Sequence, residues 1–310
     1  MKGKTAPTMT LPVEEKPGFA SALFPGLPVG RRAALWTLAF LTYAVVVGIV
    51  SEQLDITRIG WGTEATAAIG LIVGFLVSFR NNAAYSRWWE ARQLWGKLVN
   101  DSRNLALKAV AYTQAGQEDR EELARLLAGF AHALRLHLRG SVKLQDVPGY
   151  EKAEGWPGHV PTMFADGVFR LLARWGSAHH VELQMLRALD LHAYGLMDVC
   201  GGCERIRNTP IPPSPSGVLQ IAFWFYLITA PGFILNEVGW WGLVPLGLGV
   251  FLLIAVELAA TAMEQPFGIS KDHLQLDRYC EVIERSVHEI LRDRSVMVLD
   301  KRRSDLLPQS

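Results

Sequence analysis

Three cysteines, Cys200, Cys203 and Cys280, and eight histidines are the nucleophiles and metal ligands available to this 310-residue chain. Cys200 and Cys203 have the C-x-x-C spacing of a redox or zinc pair. No second pair and no histidine at ligand spacing completes a tetrahedral set, so small buried thiols on a helix are expected instead. His179 and His180 are adjacent, and on a helix they would point about 100° apart, which disfavours shared ligation. Residues 80–217 show no glycine-rich phosphate loop, metal-ligand set or nucleophile with a partner, and no catalysis, cofactor or metal is expected. Glu257 is a lone carboxylate inside an apolar run, where a charge is costly. An arginine or a backbone group of a neighbouring helix is the expected partner.

The pattern that remains is not catalytic. Leu71, Phe75 and Phe79 recur at four-residue spacing, which puts three large apolar side chains on one helical line. Beside them Gly70, Gly74 and Ser78 form a small-residue stripe of the kind that lets helix backbones approach closely. On a solitary membrane helix the apolar line would face lipid. If several copies surround an axis, the same line becomes three stacked apolar rings, a constriction that can gate by dewetting.

The elements that would position this line are read from composition. Half the residues are apolar and only 20% are charged, outside the usual balance of soluble domains. A formal charge of +1 supplies no electrostatic footprint for nucleic acid, and three cysteines make no disulfide framework. Ala33–Val50 is uncharged over 18 residues, about 27 Å of helix and enough to cross a hydrocarbon core. Ile59–Phe79 forms a second span, small-residue-rich and carrying Glu64. Val218–Leu235 and Gly239–Met263 make two more, with Trp240 and Trp241 at their turn, where amphipathic rings favour the interface. Pro231 and Pro245 are tolerable there if neighbouring helices satisfy the freed carbonyls.

Between the pairs of spans, residues 80–217 are rich in charge and follow helical periodicity. Leu123, Leu126, Leu127, Phe130, Leu134 and Leu138 mark one buried face ending near Gly140, and a further helix is expected over about Ala178–Arg207. The class is all-α. The expected layout is an irregular cytosolic arm over 1–32, spans one and two over 33–79, a cytosolic helical region over 80–217, spans three and four over 218–263, and a cytosolic C-terminal helix and tail over 264–310. Arg31, Arg32 and Arg80 flank the spans on one side, while the links hold only Arg58, so both termini are expected in the cytoplasm and the chain in the cell's inner (plasma) membrane.

The segment after the apolar line reads Phe79-Arg80-Asn81-Asn82-Ala83-Ala84-Tyr85-Ser86-Arg87-Trp88-Trp89-Glu90-Ala91-Arg92. With Cys203-Glu204-Arg205-Ile206 before span three and Glu264-Gln265-Pro266-Phe267-Gly268 after span four, it strongly resembles the bestrophin family, particularly its bacterial branch. The resemblance runs over roughly 31–291. It implies four transmembrane helices and a cytosolic helical region assembled as a homopentamer around a central pore, with Leu71, Phe75 and Phe79 as the neck. It also implies a second, cytosolic aperture, for which Ile206 is the candidate. Read from the residues themselves, Arg80, Arg87 and Arg92 with Asn81 and Asn82 would hold helix ends together or draw anions into the vestibule, the structural role being preferred.

The implied function is conduction of small monovalent ions. Phe at two neck positions is the pattern of the family's animal members, and ring edges carry a positive rim, which favours chloride. Ring faces would instead favour monovalent cations, the alternative reading. A membrane-anchored sensor or enzyme is the reading from a different class. Calcium binding is not expected: the stretch from Ile269 to Asp277 offers only two carboxylates, Asp272 and Asp277, separated by a His and apolar residues, and Ca²⁺ takes six to eight oxygens.

Overall fold

The computed structural model describes residues 28–54, 63–140, 142–152, 158–209, 213–269 and 273–292. The expected arm up to residue 27, the tail from 293, Arg58, Asp272 and Pro210–Pro212 lie outside the described residues. Eight α-helices are described: α1 (Pro28–Gln53), α2 (Thr63–Tyr112), α3 (Gln117–Arg139), α4 (Val160–Ser177), α5 (Leu183–Asn208), α6 (Pro213–Val238), α7 (Leu243–Glu264) and α8 (Leu276–Arg292). Short 3₁₀ turns cover Leu144–Asp146 and Gly239–Gly242, and there is no strand among the described residues.

Three helical stretches are long and apolar enough to cross a bilayer: Val29–Gln53, Thr66–Tyr112 and Gly217–Glu264. The last contains the Gly239–Gly242 turn that separates α6 from α7. Helix α2 runs unbroken for 50 residues, about 75 Å. It holds no proline, so nothing in its sequence stops the ladder where apolar residues give way to charged ones at Arg80. The expected boundary at 79/80 is therefore a change of surface and not of backbone.

The chain divides into two compact units: residues 28–91 with 206–274, and 92–205 with 275–292, among those described. In the first unit, Val73 and Val77 of α2 pack with Leu219, Phe223 and Leu227 of α6 and Leu246, Val250 and Ile254 of α7. The Trp240 indole donates to Glu52 Oε1 at 2.8 Å, tying the α6/α7 turn to the end of α1. Gly48 permits this, because a Cβ there would come within 2.8 Å of the Trp240 ring. Pro245 falls in the first turn of α7, where its missing N–H costs no ladder bond. Pro231 lies inside α6, and three residues before it the Ile228 carbonyl accepts from the Tyr43 hydroxyl of α1 at 2.9 Å.

In the second unit, α3 buries Leu123, Leu127, Phe130, Leu134 and Leu138, while Leu126 is half-buried. Gly140 caps it. Glu118 and Asp119 in its first turn and His137 and Arg139 in its last suit the helix dipole. Helix α4, which the sequence reading did not delimit, packs on α3, with the Phe164 ring over Gly129. Helix α8 covers α3 with Leu276, Cys280, Ile283, Val287 and Leu291, one apolar stripe at three- and four-residue steps.

Asp277 anchors the start of α8. It accepts from Arg139 at 2.7 Å and Arg135 at 2.7 Å. The hydrogen bond from Arg139, with Arg135 beside it, holds this carboxyl below the usual aspartate range against a smaller opposing effect of burial. Its contribution is therefore complete above about pH 4, the ordinary range, and is lost as the pH falls through the lower folded value. Hydrogen-exchange protection of α8, relative to the intrinsic rate at each pH, is expected to fall in acid, and Asp277→Asn should lower it modestly already at neutral pH and flatten its acid dependence. An unchanged profile in the variant would remove Asp277 from this role.

Candidate functional site

Val73 and Val77 bury to 2% and 4% exposure, and on a helix they stand some 200° round from Leu71 and Phe75. With the valines buried, the helical period turns the larger side chains away from the chain's own core. Leu71, Phe75 and Phe79 are 77%, 62% and 59% exposed. The Phe75 and Phe79 rings meet edge-to-face, with centroids 4.5 Å apart and planes at 86°. Just beyond them, Phe75, Ser78, Phe79, Asn81, Asn82 and Tyr85 line an open groove that brings two amides next to the aromatic pair.

The small-residue stripe divides in two. Gly70 packs within the chain, where a Cβ would lie 3.2 Å from the Tyr226 ring of α6. Gly74 has no heavy atom within 4 Å of the position its Cβ would take, and Ser78 is exposed. The part of the stripe closest to the aromatic pair is therefore open to another surface.

Below this line two arginines fasten α2 to its neighbours. The Arg80 guanidinium pairs with Glu257 of α7 and, through Nε at 3.0 Å, with Glu264 about two turns further on. Glu257 thus has the arginine partner that its place in an apolar run demands. Arg87 donates Nε–H to the Glu264 carbonyl at 2.8 Å, Nη1–H to the Thr209 carbonyl at 2.6 Å, and Nη2–H to the Ile206 carbonyl. Glu264 ends α7 and Ile206 lies in the last turn of α5, so these are carbonyls left without helical partners. One guanidinium serves two helix ends and the residue following one of them. Both arginines therefore bridge α2 to neighbouring helices within the protomer.

Tyr85 stacks near Trp88 and Trp89, at 6.2 Å and 6.3 Å between centroids. Glu90 is half-buried. In the block after α7, Phe267 is buried, the Pro266 carbonyl accepts from Leu274 N–H at 2.9 Å, and the His273 ring fills the space beside Gly268. These residues fold the chain end of α7 back on itself.

Ile206, the candidate for the cytosolic aperture, is buried within the protomer. It is 3% exposed, with its side chain turned into its own chain. Cys200, Cys203 and Cys280 are buried and in no disulfide. Burial, reinforced by nearby Glu204, pushes the Cys200 thiol up to about 12, which leaves it inert at neutral pH. The Cys280 thiol donates to the Ala131 carbonyl at 3.3 Å.

Sequence reading missed one cluster. His137, His159 and Glu204 come from three different helical segments, and both imidazole Nε2 atoms lie within 3 Å of Glu204 Oε1. No spacing rule links positions so far apart. Tyr226 as the partner of Gly70, and Glu264 as the second partner of Arg80, were likewise invisible, although Glu264 opens a recognised block.

A family model described as bacterial/fungal bestrophin protein matches residues 28–289. A voltage-dependent anion channel-forming protein of Synechocystis is 27% identical over 84% of this chain and 94% of its own length. A protein of the same description from Nostoc is 31% identical over 71% of this chain and 75% of its own. The crystal structure of a bacterial bestrophin homologue from Klebsiella pneumoniae superposes with a TM-score of 0.73 at 22% identity, covering 84% of this chain and 97% of that one, a likeness of fold. With these matches and its apolar membrane helices, the chain belongs to the bacterial and fungal bestrophin family, and is a membrane protein of channel type rather than an enzyme.

Proposed function

We propose that this chain is one subunit of a homopentameric channel that conducts small monovalent anions, chloride foremost, through a hydrophobic neck of Leu71, Phe75 and Phe79. The observation that carries the reading is the line of three large apolar side chains on α2, exposed in the protomer and opposite the buried Val73 and Val77. Repeated about an axis, it supplies three apolar rings that exclude water until the passage widens. The description of the Synechocystis and Nostoc relatives as anion channel-forming supports the choice of ion.

Ring geometry supports it as well. Because Phe75 and Phe79 stand at 86°, at most one of them can turn its electron-rich face to a passing ion, and the other offers its positive edge. Purified protein in liposomes under a potassium chloride gradient should show a reversal potential close to the chloride value. A reversal potential of opposite sign would instead establish a monovalent-cation channel. The basic residues flanking the spans support an inner-membrane orientation with both termini cytoplasmic.

The open half of the small-residue stripe is the surface on which neighbouring α2 helices meet. Gly74→Leu is therefore expected to leave the protomer folded, since there is space at Gly74, but to prevent close approach between copies. Native mass spectrometry in detergent should show the pentamer lost while helical content is kept. A pentamer of normal stability in this variant would exclude Gly74 from the subunit interface.

A further inference from the structure

The proposed channel function leaves one cluster without a use. His137 in the last turn of α3, His159 at the N-cap of α4 and Glu204 near the end of α5 converge on a single point. His137 Nε2 lies 2.8 Å and His159 Nε2 2.7 Å from the same oxygen, Glu204 Oε1, and the rings stand 4.6 Å apart at 73°. All three ligand atoms fall within 4.8 Å of one another. We propose that His137, His159 and Glu204 bind a divalent transition-metal ion of the zinc class, with an open fourth position taken by water.

The donor set selects the ion. Two imidazole nitrogens and one carboxylate oxygen suit Zn²⁺, Co²⁺ or Ni²⁺, whereas Ca²⁺ and Mg²⁺ prefer all-oxygen shells. Three protein ligands plus a water is the composition of an open tetrahedral site. Bonds of roughly 2.0–2.1 Å at tetrahedral angles hold ligand atoms about 3.3 Å apart. The imidazoles now sit about half an ångström closer to Glu204 Oε1 than that, so a rotation of the carboxylate opens the site without backbone movement. The side chains are 23%, 31% and 30% exposed, which gives an ion and its water a route in.

His159 is also prepared for the change of role. Its Nδ1 now accepts from the Thr162 backbone N–H at 3.2 Å, which places the ring proton on Nε2, facing Glu204. Ligation needs Nε2 bare and the proton on Nδ1. The Thr162 hydroxyl, 2.6 Å from Nδ1, is positioned to accept that proton's hydrogen bond, so the ring shifts tautomer with no net proton gained or lost. The thiols take no part: Cys200 lies one turn from Glu204 but is buried, and it is not among the atoms that converge.

The test uses full-length protein in detergent, stripped with chelator and titrated with Zn²⁺ by calorimetry and with Co²⁺ by visible spectroscopy. One equivalent per chain is expected, with tetrahedral Co²⁺ bands that lack a thiolate charge-transfer band. Glu204→Gln and His137→Ala should each weaken affinity by roughly tenfold to a hundredfold. Glu204→Gln keeps an acceptor for both imidazoles, so loss of binding with unchanged helicity and oligomeric state separates ligation from folding. Wild-type protein that binds no metal, or binds it equally in the His137→Ala/His159→Ala double variant, overturns the proposal. A thiolate band would overturn it too. Loss of metal binding leaves the channel reading standing, and absence of ion flux leaves the metal site standing.

Discussion

Replacing Leu71, Phe75 and Phe79 together by alanine is expected to raise single-channel conductance or liposome flux about tenfold, equivalent to removing about 1.4 kcal/mol from the permeation barrier. The reason is geometric. Each ring loses its large side chains while Val73 and Val77, which hold α2 in the core, are untouched. A wider apolar passage fills with water more readily, and a wetted neck conducts. The control is Val73→Ala with Val77→Ala, which opens cavities on the buried face. That pair should lower thermal stability without raising flux. If the triple variant assembles normally and conducts as the parent does, the exposed line faces lipid and the neck lies elsewhere.

The second large effect is expected at Arg80. Its guanidinium and the Glu257 carboxylate are mostly shielded, at 9% and 19% side-chain exposure, and Glu257 sits within the apolar α7. Removing one partner of a buried pair leaves the other as an uncompensated charge, at a cost of roughly 3–5 kcal/mol. Arg80→Ala should therefore cost assembled protein and lower Tm by about 10 °C or more. Pairing it with Glu257→Gln should recover most of that loss, since the stranded charge is then gone. Glu257→Gln alone is the milder change, because Arg80 retains Glu264. A double variant as unstable as Arg80→Ala alone would show that Arg80 acts chiefly through Glu264.

Several features were readable before any coordinates because they are local. Apolar runs long enough to span a bilayer, the α3 stripe from Leu123 to Leu138 and the cap at Gly140 follow from chain composition and the 3.6-residue period. The line Leu71, Phe75 and Phe79 is of the same kind, since a four-residue step places side chains together whatever surrounds the helix. The recognised blocks also identified Arg80 and Arg87, but not what they hold.

What periodicity could not supply is the matching of distant residues. Arg80 meets Glu257 and Glu264 across more than 170 positions, and Arg87 reaches the carbonyls of Ile206, Thr209 and Glu264. Gly70 and Gly74 are equivalent in sequence, yet only Gly70 meets a ring, because Tyr226 passes on that side alone. Ile206 is marked by its block, but only packing sets its burial in the protomer. His137, His159 and Glu204 converge only because the end of α3, the start of α4 and the last part of α5 meet near one point. Repeating short-range geometry is written into neighbouring residues, but which long-range partners meet depends on the angles at which helices pack, and those are set by the whole core at once.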